Sequence, residues 1–390
     1  MSIFASERPL LVTCPKGIPP ILSGELLSLG FPLLGESMTG VETKGTLRDA
    51  MALNLHLRTA HRVLLLLDHL RAAHPQQLYQ GLTAIPWEEY VPDDGYVSVT
   101  SSVINPSITD SRFANLKGKD AIVDRIRERI GRRPDSGPRR RGTVIHLSWW
   151  EDSCKVYLDT SGEPLSRRGY RKIPLRAPMQ ETLAAAVVLA TGWDGQGTFL
   201  NPMCGSGTLA IEAALIALNR APGGLRESFG FMHLKGYDES SWTELREGAQ
   251  AAARESFPGR IIATDNSPSA IEAARRNAAM ARVEDRLAFG VCDYAQTPVP
   301  EGGGVAVINP EYGRRLGEIS KLERIYQGIG DFFKNRCMGY RGYVFTGNLH
   351  LAKKVGLRTS RRIPLFNGDI ECRLLEYELY QGSRKAREVV

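Results

Sequence analysis

The stretch that most narrows what this chain can become is Thr198 to Ala214, TFLNPMCGSGTLAIEAA. A short apolar strand runs into a tight loop, Cys204-Gly205-Ser206-Gly207, and then into a helix of small and aliphatic residues. Gly205 and Gly207 leave no Cβ to hold a ligand off the loop, and both accept positive φ. The free amides of the following helix point into the same space. The pattern suits a nucleoside-type ligand, and the loop alone does not say which.

A second stretch, Val305 to Gly313, VAVINPEYG, separates the alternatives. It reads as an apolar strand ending in Asn309-Pro310-Glu311-Tyr312, at the carboxyl end where open α/β sheets bind ligands. The exocyclic amine of a purine is a poor nucleophile, because its lone pair is delocalised into the ring. Two acceptors, the Asn309 side-chain oxygen and the Pro310 carbonyl, suffice to hold both amine hydrogens and turn the lone pair outward. Tyr312 is placed to stack on an extruded base. Alignment and electrostatics then carry most of the catalysis. Glycine loop and Asn-Pro-x-Tyr together predict methyl transfer from S-adenosyl-L-methionine to a base amine.

Asp265 ends the strand RIIATDN, where its carboxylate is placed to accept from both ribose hydroxyls of a nucleoside. The usual spacing from glycine loop to acid is about 20 residues. Here Gly205 and Asp265 lie 60 positions apart, which predicts an insertion over Asn219 to Gly259. Asp293 ends the next strand and faces the expected adenine position. Repeated strand–helix units and a terminal hairpin at Asn367-Gly368 predict an α/β sheet with an antiparallel edge. Such an edge favours a methyltransferase over a dehydrogenase.

Upstream, the spacing predicts a helix opened by Pro19 and Pro20 and ended by Gly30, then strand-like residues up to Leu47. A helix is expected over Asp49 to His69, a strand over Tyr96 to Val103, and a basic helix over Lys119 to Ile130. TVIHLSWW and CKVYLDT read as strands. Trp149 and Trp150 offer rings for base stacking. Adjacent strand residues face opposite ways, so at most one of the two is exposed.

Composition excludes several classes. The charged share is 24% and the hydrophobic share 42%, as in globular domains. No apolar run approaches the roughly 18 residues of a membrane span, and the N-terminus lacks the pattern of a signal peptide. The six cysteines (Cys14, Cys154, Cys204, Cys292, Cys337, Cys372) form no CxxC pair. His56, His61, His69 and His74 have no partners at ligand spacing. A reducing cytoplasm and no structural metal are expected.

The net charge of +7 is concentrated. Lys117 to Arg141 holds ten Lys/Arg against four Asp/Glu, and SRRGYRKIPLR adds a second cluster. Such clusters suit a polyphosphate partner. They nominate Lys117, Lys119, Arg125, Arg167, Arg168, Arg171 and Lys172 as RNA contacts.

The chain resembles the THUMP-domain methyltransferases, and within them the bacterial 23S ribosomal RNA guanine-N2 methyltransferases. The resemblance rests on LKGKDAIVDRIRERIGRRP, LDTSGEPLSRRGYR, APMQETLAAAVVLATGW, NPMCGSGTLAIEAALIA, IEAARRNAA, FTGN and LFNGDIECRLLEYEL. It implies a ferredoxin-like region over 1–65, a THUMP domain over 66–162, a basic linker over 163–178 and a class I, Rossmann-like methyltransferase domain over 179–384. Longer relatives fuse a second methyltransferase domain, which this chain is expected to lack.

By position, the resemblance puts Asn201, Pro202, Met203, Cys204, Gly205, Gly207, Thr208, Asp265, Asn266, Asp293 and Asn309 around S-adenosyl-L-methionine. It puts Asn309, Pro310, Glu311 and Tyr312 at the target base. It implies ribosomal RNA as partner, with transfer RNA as the alternative. One position departs from the family's Asn-Pro-Pro-Tyr, because Glu311 stands where the second proline would. Losing that ring frees φ. Glu311 either points away or enters the pocket, where it accepts from guanine N1–H and N2–H or damages the site. A protein that binds RNA but has lost turnover is the competing expectation.

Overall fold

The computed structural model describes residues 3–108, 110–171, 179–313 and 319–380. The chain forms two compact units. The first takes in Met1–Cys14, Leu22–Arg167 and Pro222–Ala251, and the second Pro15–Ile21, Arg168–Ala221 and Ala252–Val390.

In chain order the first unit holds β1 (Arg8–Thr13), most of α1 (Pro19–Ser28), β2 (Gly35–Ser37), β3 (Gly40–Gly45) and α2 (Leu47–His56). β4 (Arg62–Arg71), α3 (Pro75–Ala84), β5 (Tyr96–Ile104), α4 (Ser111–Ile130), β6 (Asp135–Ser136), β7 (Thr143–Trp150) and β8 (Ser153–Asp159) follow. The eight strands form one sheet in the order β2-β3-β1-β4-β8-β7-β5-β6.

The expected helix over Asp49 to His69 is corrected here. A capping box between Thr46 and Asp49 opens α2, which stops at His56. The run from Val63 is the strand β4, held between β1 and β8. Consecutive apolar residues match both a buried helix and a strand covered on both faces, and periodicity does not separate them. The basic helix begins earlier than expected, at Ser111 behind the cap Asp110, and Gly131 (φ 73°) ends it. α3 and α4 cover one sheet face. A Cβ on Gly118 of α4 would lie 3.0 Å from Leu147 Cδ1, and one on Gly81 of α3 would lie 3.0 Å from Leu70 Cδ1. Trp149 faces the same way, buried, with Nε1 donating to the Ala72 carbonyl at 2.7 Å. Trp150 is 59% exposed, so the expected alternation holds.

The second unit contains α5 (Glu181–Thr191), β9 (Thr198–Pro202) and α6 (Thr208–Ala217). The chain then leaves the strand–helix pattern. Residues 222–251, with α7 (Glu239–Ala251), group with the first unit, and they make up most of the insertion expected over 219–259. The second unit resumes with β10 (Arg260–Asp265), α8 (Pro268–Met280), β11 (Leu287–Val291), β12 (Gly304–Ile308) and α9 (Ile319–Arg336). β13 (Tyr340–Thr346), α10 (Leu349–Ala352), β14 (Arg361–Asn367) and β15 (Ile370–Glu378) complete it.

Its strand order is β11-β10-β9-β12-β13-β15-β14. The first five strands run parallel, and β15 is antiparallel to both neighbours. The hairpin turn falls on Gly368-Asp369, one residue later than expected, with Asn367 paired to Ile370 and Gly368 at φ 61°. Leu322, Tyr326, Ile329 and Phe333 of α9 pack into a core with Ile308 and Val344.

Candidate functional site

The glycine loop is built from strain and three ties. Met203, Gly205 and Gly207 all sit at positive φ (56°, 55° and 81°). A methionine there is unusual and costs about 1 kcal/mol or more unless its surroundings enforce it. The enforcement is visible. The Cys204 amide donates to the Thr264 carbonyl at 2.9 Å, and the Gly205 amide donates to Asp265 Oδ2 at 3.0 Å. From α8, Asn277 Nδ2 donates to the Ser206 carbonyl at 3.2 Å. The second Asp265 oxygen accepts from the Ser267 amide at 3.0 Å. Asp265 thus shapes the loop as well as ending β10.

The two glycines serve different ends. A Cβ on Gly207 would lie 2.9 Å from Ala274 Cβ, so this glycine lets α6 pack against α8. A Cβ on Gly205 would meet nothing within 4 Å; it would project into open space above the loop. The buried Asn201 donates through Nδ2 to the Val307 carbonyl at 3.0 Å, and its Oδ1 has no hydrogen-bond partner among the described residues. An open cradle at Gly205, an acidic strand end and an orphaned buried acceptor fit an adenosyl amino-acid cofactor. Asn266 and Asp293 are exposed beside Asp265, and Asp293 Oδ1 accepts from the Ala295 amide at 2.9 Å. Thr208, the first residue of α6, is buried.

β9 and β12 are neighbours, so the Asn201–Val307 bond places the loop and Asn309–Tyr312 at adjacent strand ends. Asn309 is half-buried and Pro310 buried. Tyr312 donates its hydroxyl to Asn309 Oδ1 at 2.8 Å, and its ring meets Phe345 edge-on at 6.2 Å. Burial, with the neighbouring Cys372 thiol, pushes the Tyr312 phenol well above its ordinary value, so it stays a donor. Asn348 Nδ2 donates to the Tyr312 carbonyl at 3.0 Å. Glu311 is exposed, and its carbonyl accepts from Tyr326 at 3.3 Å, a hydroxyl also bonded to Thr346 at 2.7 Å. These bonds fix the backbone that the missing proline ring would have restrained.

Asn277, Asn348 and Tyr326 were not singled out from the sequence. Asn277 carried a signal, being the polar residue on the buried side of α8.

Three of the nominated RNA contacts, Arg168, Arg171 and Arg125, need correction. Arg168 is buried and pairs with Glu212 of α6 at 3.6 Å; Tyr170 also donates to Glu212, at 2.9 Å. Arg171 donates to the Met179 carbonyl and to Thr208 Oγ1 (3.2 Å), and pairs with Glu181 at 3.4 Å. These arginines neutralise buried carboxylates of α5 and α6 instead of offering charge to a phosphate. Arg125 is likewise committed, to Glu88 at 2.8 Å and to the Thr83 carbonyl at 3.2 Å. Lys117 lies 4.7 Å from the Tyr79 ring centre, Lys119 pairs with Asp120, and Arg167 pairs with Glu163. Lys172 lies outside the described residues. Exposed positive charge that was not nominated gathers at the end of α4 and beyond it, at Arg127, Arg129, Arg132, Arg133, Arg139, Arg140 and Arg141.

No group of three or more His, Cys, Asp or Glu among the described residues could hold a metal ion. No helix among them is long and apolar enough to cross a membrane.

Strand order, antiparallel edge and glycine loop define a class I methyltransferase unit. Family models agree. Residues 168–376 match the RMKL-like methyltransferase domain, 9–64 the RlmL ferredoxin-like domain and 72–159 the THUMP domain. The chain belongs to this family of S-adenosyl-L-methionine-dependent methyltransferases. It is 39% identical over 378 residues to the ribosomal RNA large subunit methyltransferase K/L of Syntrophotalea carbinolica, covering 94% of this chain and 53% of that protein. The chain spans about half the length of the K/L relatives it matches. A putative RNA methyltransferase of Synechocystis is 35% identical, covering 96% of this chain and 98% of the relative. Among solved structures, a putative methyltransferase complexed with SAH matches with TM-score 0.87 and 28% identity, over 97% of this chain and 99% of that one.

Proposed function

We propose that the protein methylates the exocyclic N2 amine of a guanine in 23S ribosomal RNA, as a cytoplasmic enzyme. The observation that carries the reading is the Asn201–Val307 bond, which sets the cofactor loop beside Asn309 and Pro310. When bound, S-adenosyl-L-methionine supplies a methyl group activated by its sulfonium. Gly205 leaves room for it, Asp265 offers lone pairs to its ribose, and Asn201 Oδ1 remains a buried acceptor.

Asn309 Oδ1 would accept a hydrogen bond from one N–H of the target amine on the lone pair that Tyr312 leaves free, and the Pro310 carbonyl would accept from the other. The amine's lone pair then points along the transfer direction, and orientation rather than a strong base supplies the acceleration. As the N–CH3 bond forms and the S–CH3 bond breaks to leave a neutral thioether, one of the two amine protons would pass to water. We read 1–65 as the ferredoxin-like region, 66–162 as THUMP, 163–178 as linker and 179–384 as the catalytic domain. The relatives' names and the THUMP match support RNA as substrate, with transfer RNA as the alternative.

Asn309→Ala tests the reading. Loss of one preorganised hydrogen-bond partner of the reacting group should lower kcat by about 10²–10³, with cofactor affinity changed less than threefold. Turnover near the wild-type rate would remove Asn309 from the chemistry. The second reading, an RNA-binding protein without turnover, draws on Glu311. The exposed Glu311 side chain and the Tyr326 bond to its carbonyl favour an active site.

A further inference from the structure

The first unit presents a surface that this chemistry does not use. Val99, Leu147 and Leu70 face α3 and α4. With side chains alternating along a strand, their sequence neighbours face the other side of the sheet. There the register lays out two rows across four strands. One runs Ile104, Trp150, Ser153, Arg71, and the next Ser102, Ser148, Lys155, His69. A 2.7 Å bond between His69 Nε2 and Ser153 Oγ confirms the shared face. All eight residues are exposed or half-buried, and neither row contains a carboxylate.

The composition of this patch is specific. Trp150 is 59% exposed, whereas Trp87, Trp149, Trp193 and Trp242 are at most 5% exposed. Ser148 and Ser153 flank it on β7 and β8, too small to cover its ring and able to offer hydroxyls. Arg71 and Lys155 bring positive charge. Their partners Asp152 (3.0 Å) and Glu42 (3.2 Å) lie outside the rows, in exposed pairs that a phosphate can replace. Four strands at about 4.8 Å spacing span roughly 15 Å. Open sheet faces of that size stack about two or three unpaired bases in other RNA-binding folds.

We infer that this face binds an unpaired RNA segment, with one base stacked on Trp150 and the backbone drawn to Arg71 and Lys155. The inference rests on the proposal that the substrate is RNA. A duplex hides its base faces, so a single exposed ring between serines selects for unpaired nucleotides.

Trp150 is the exposed one of five tryptophans, so contact quenching by a ligand on this face falls on its share of the emission, which the difference between wild type and Trp150→Phe isolates. The full chain, free of cofactor, is titrated with an unstructured oligoribonucleotide and with a duplex of the same length. The unpaired strand should quench emission, and Trp150→Ala should weaken its binding about tenfold while Trp150→Phe retains most of it. The duplex should neither quench comparably nor respond to the substitution. An unchanged melting temperature for Trp150→Ala, expected for so exposed a side chain, shows that the loss is local. Unaltered affinity of Trp150→Ala for the unpaired strand overturns the inference. So does shielding of the free protein's emission from iodide together with a dimer that Trp150→Ala dissolves, which would make the face a protein interface. Binding is read without cofactor. A wild type that binds but never methylates would therefore sink the catalytic reading and leave this one standing.

Discussion

Replacing Arg168 with methionine separates an internal arginine from an RNA-facing one. The Arg168 and Glu212 side chains are 1% and 0% exposed, 3.6 Å apart, in the second unit. Removing one partner of such a pair strands a buried charge and costs about 3–5 kcal/mol. The second unit holds about two hundred residues, and a domain of that size loses roughly 2–4 °C of melting temperature per kcal/mol. The calorimetric transition of Arg168→Met should therefore fall by roughly 6–20 °C. Adding Glu212→Gln removes the stranded charge and keeps an acceptor for Tyr170, so the double variant should recover about half the loss or more. RNA affinity, measured below the transition, should keep its salt dependence. An unshifted transition with a flattened salt slope would refute the reasoning and return Arg168 to the RNA surface.

Two further outcomes follow from particular side chains. Gly205→Ala puts a methyl into open space at φ 55°, and should weaken cofactor binding at least about tenfold while costing roughly 1–2 kcal/mol of stability. Gly207→Ala, whose Cβ would press Ala274 at 2.9 Å, should cost more than that by overpacking. Equal cofactor affinities in the two variants, by calorimetric titration, would contradict this division. His146 is held down to about 4 by burial and by Arg62 and Arg140. The unfolded chain, titrating near 6.5, then takes up a proton that the fold refuses. This contribution is complete above pH 6.5 and is lost as pH falls towards 4, at up to about 1.4 kcal/mol per unit. Urea unfolding of His146→Gln should show a shallower pH slope than the wild type; the same slope in both would rule out His146 as its source.

What could be read from the sequence was local and repetitive. The glycine loop and the terminal hairpin each carry their signal within a few residues, and the structure has both. β4 was misread because Val63–Leu67 satisfies two periods at once, and only its two neighbouring strands decide. The linker arginines failed for another reason. RRGYR shows charge but not its partner, and phosphate or buried carboxylate would produce the same letters. The partner was visible as Glu212, an acid inside the apolar helix TLAIEAALIA, where only a paired charge is tolerated. Arg125 likewise meets Glu88 across 37 positions, a distance no local pattern spans. Trp150 was half legible, since alternation required one exposed ring without saying which.

The central claim is tested most directly by incubating the protein with methyl-labelled S-adenosyl-L-methionine and unmodified 23S ribosomal RNA, then digesting to nucleosides. The account predicts label in N2-methylguanosine, absent with Asn309→Ala. Cofactor binding without transfer to any nucleoside of ribosomal or transfer RNA, in a protein that still binds RNA, would contradict it.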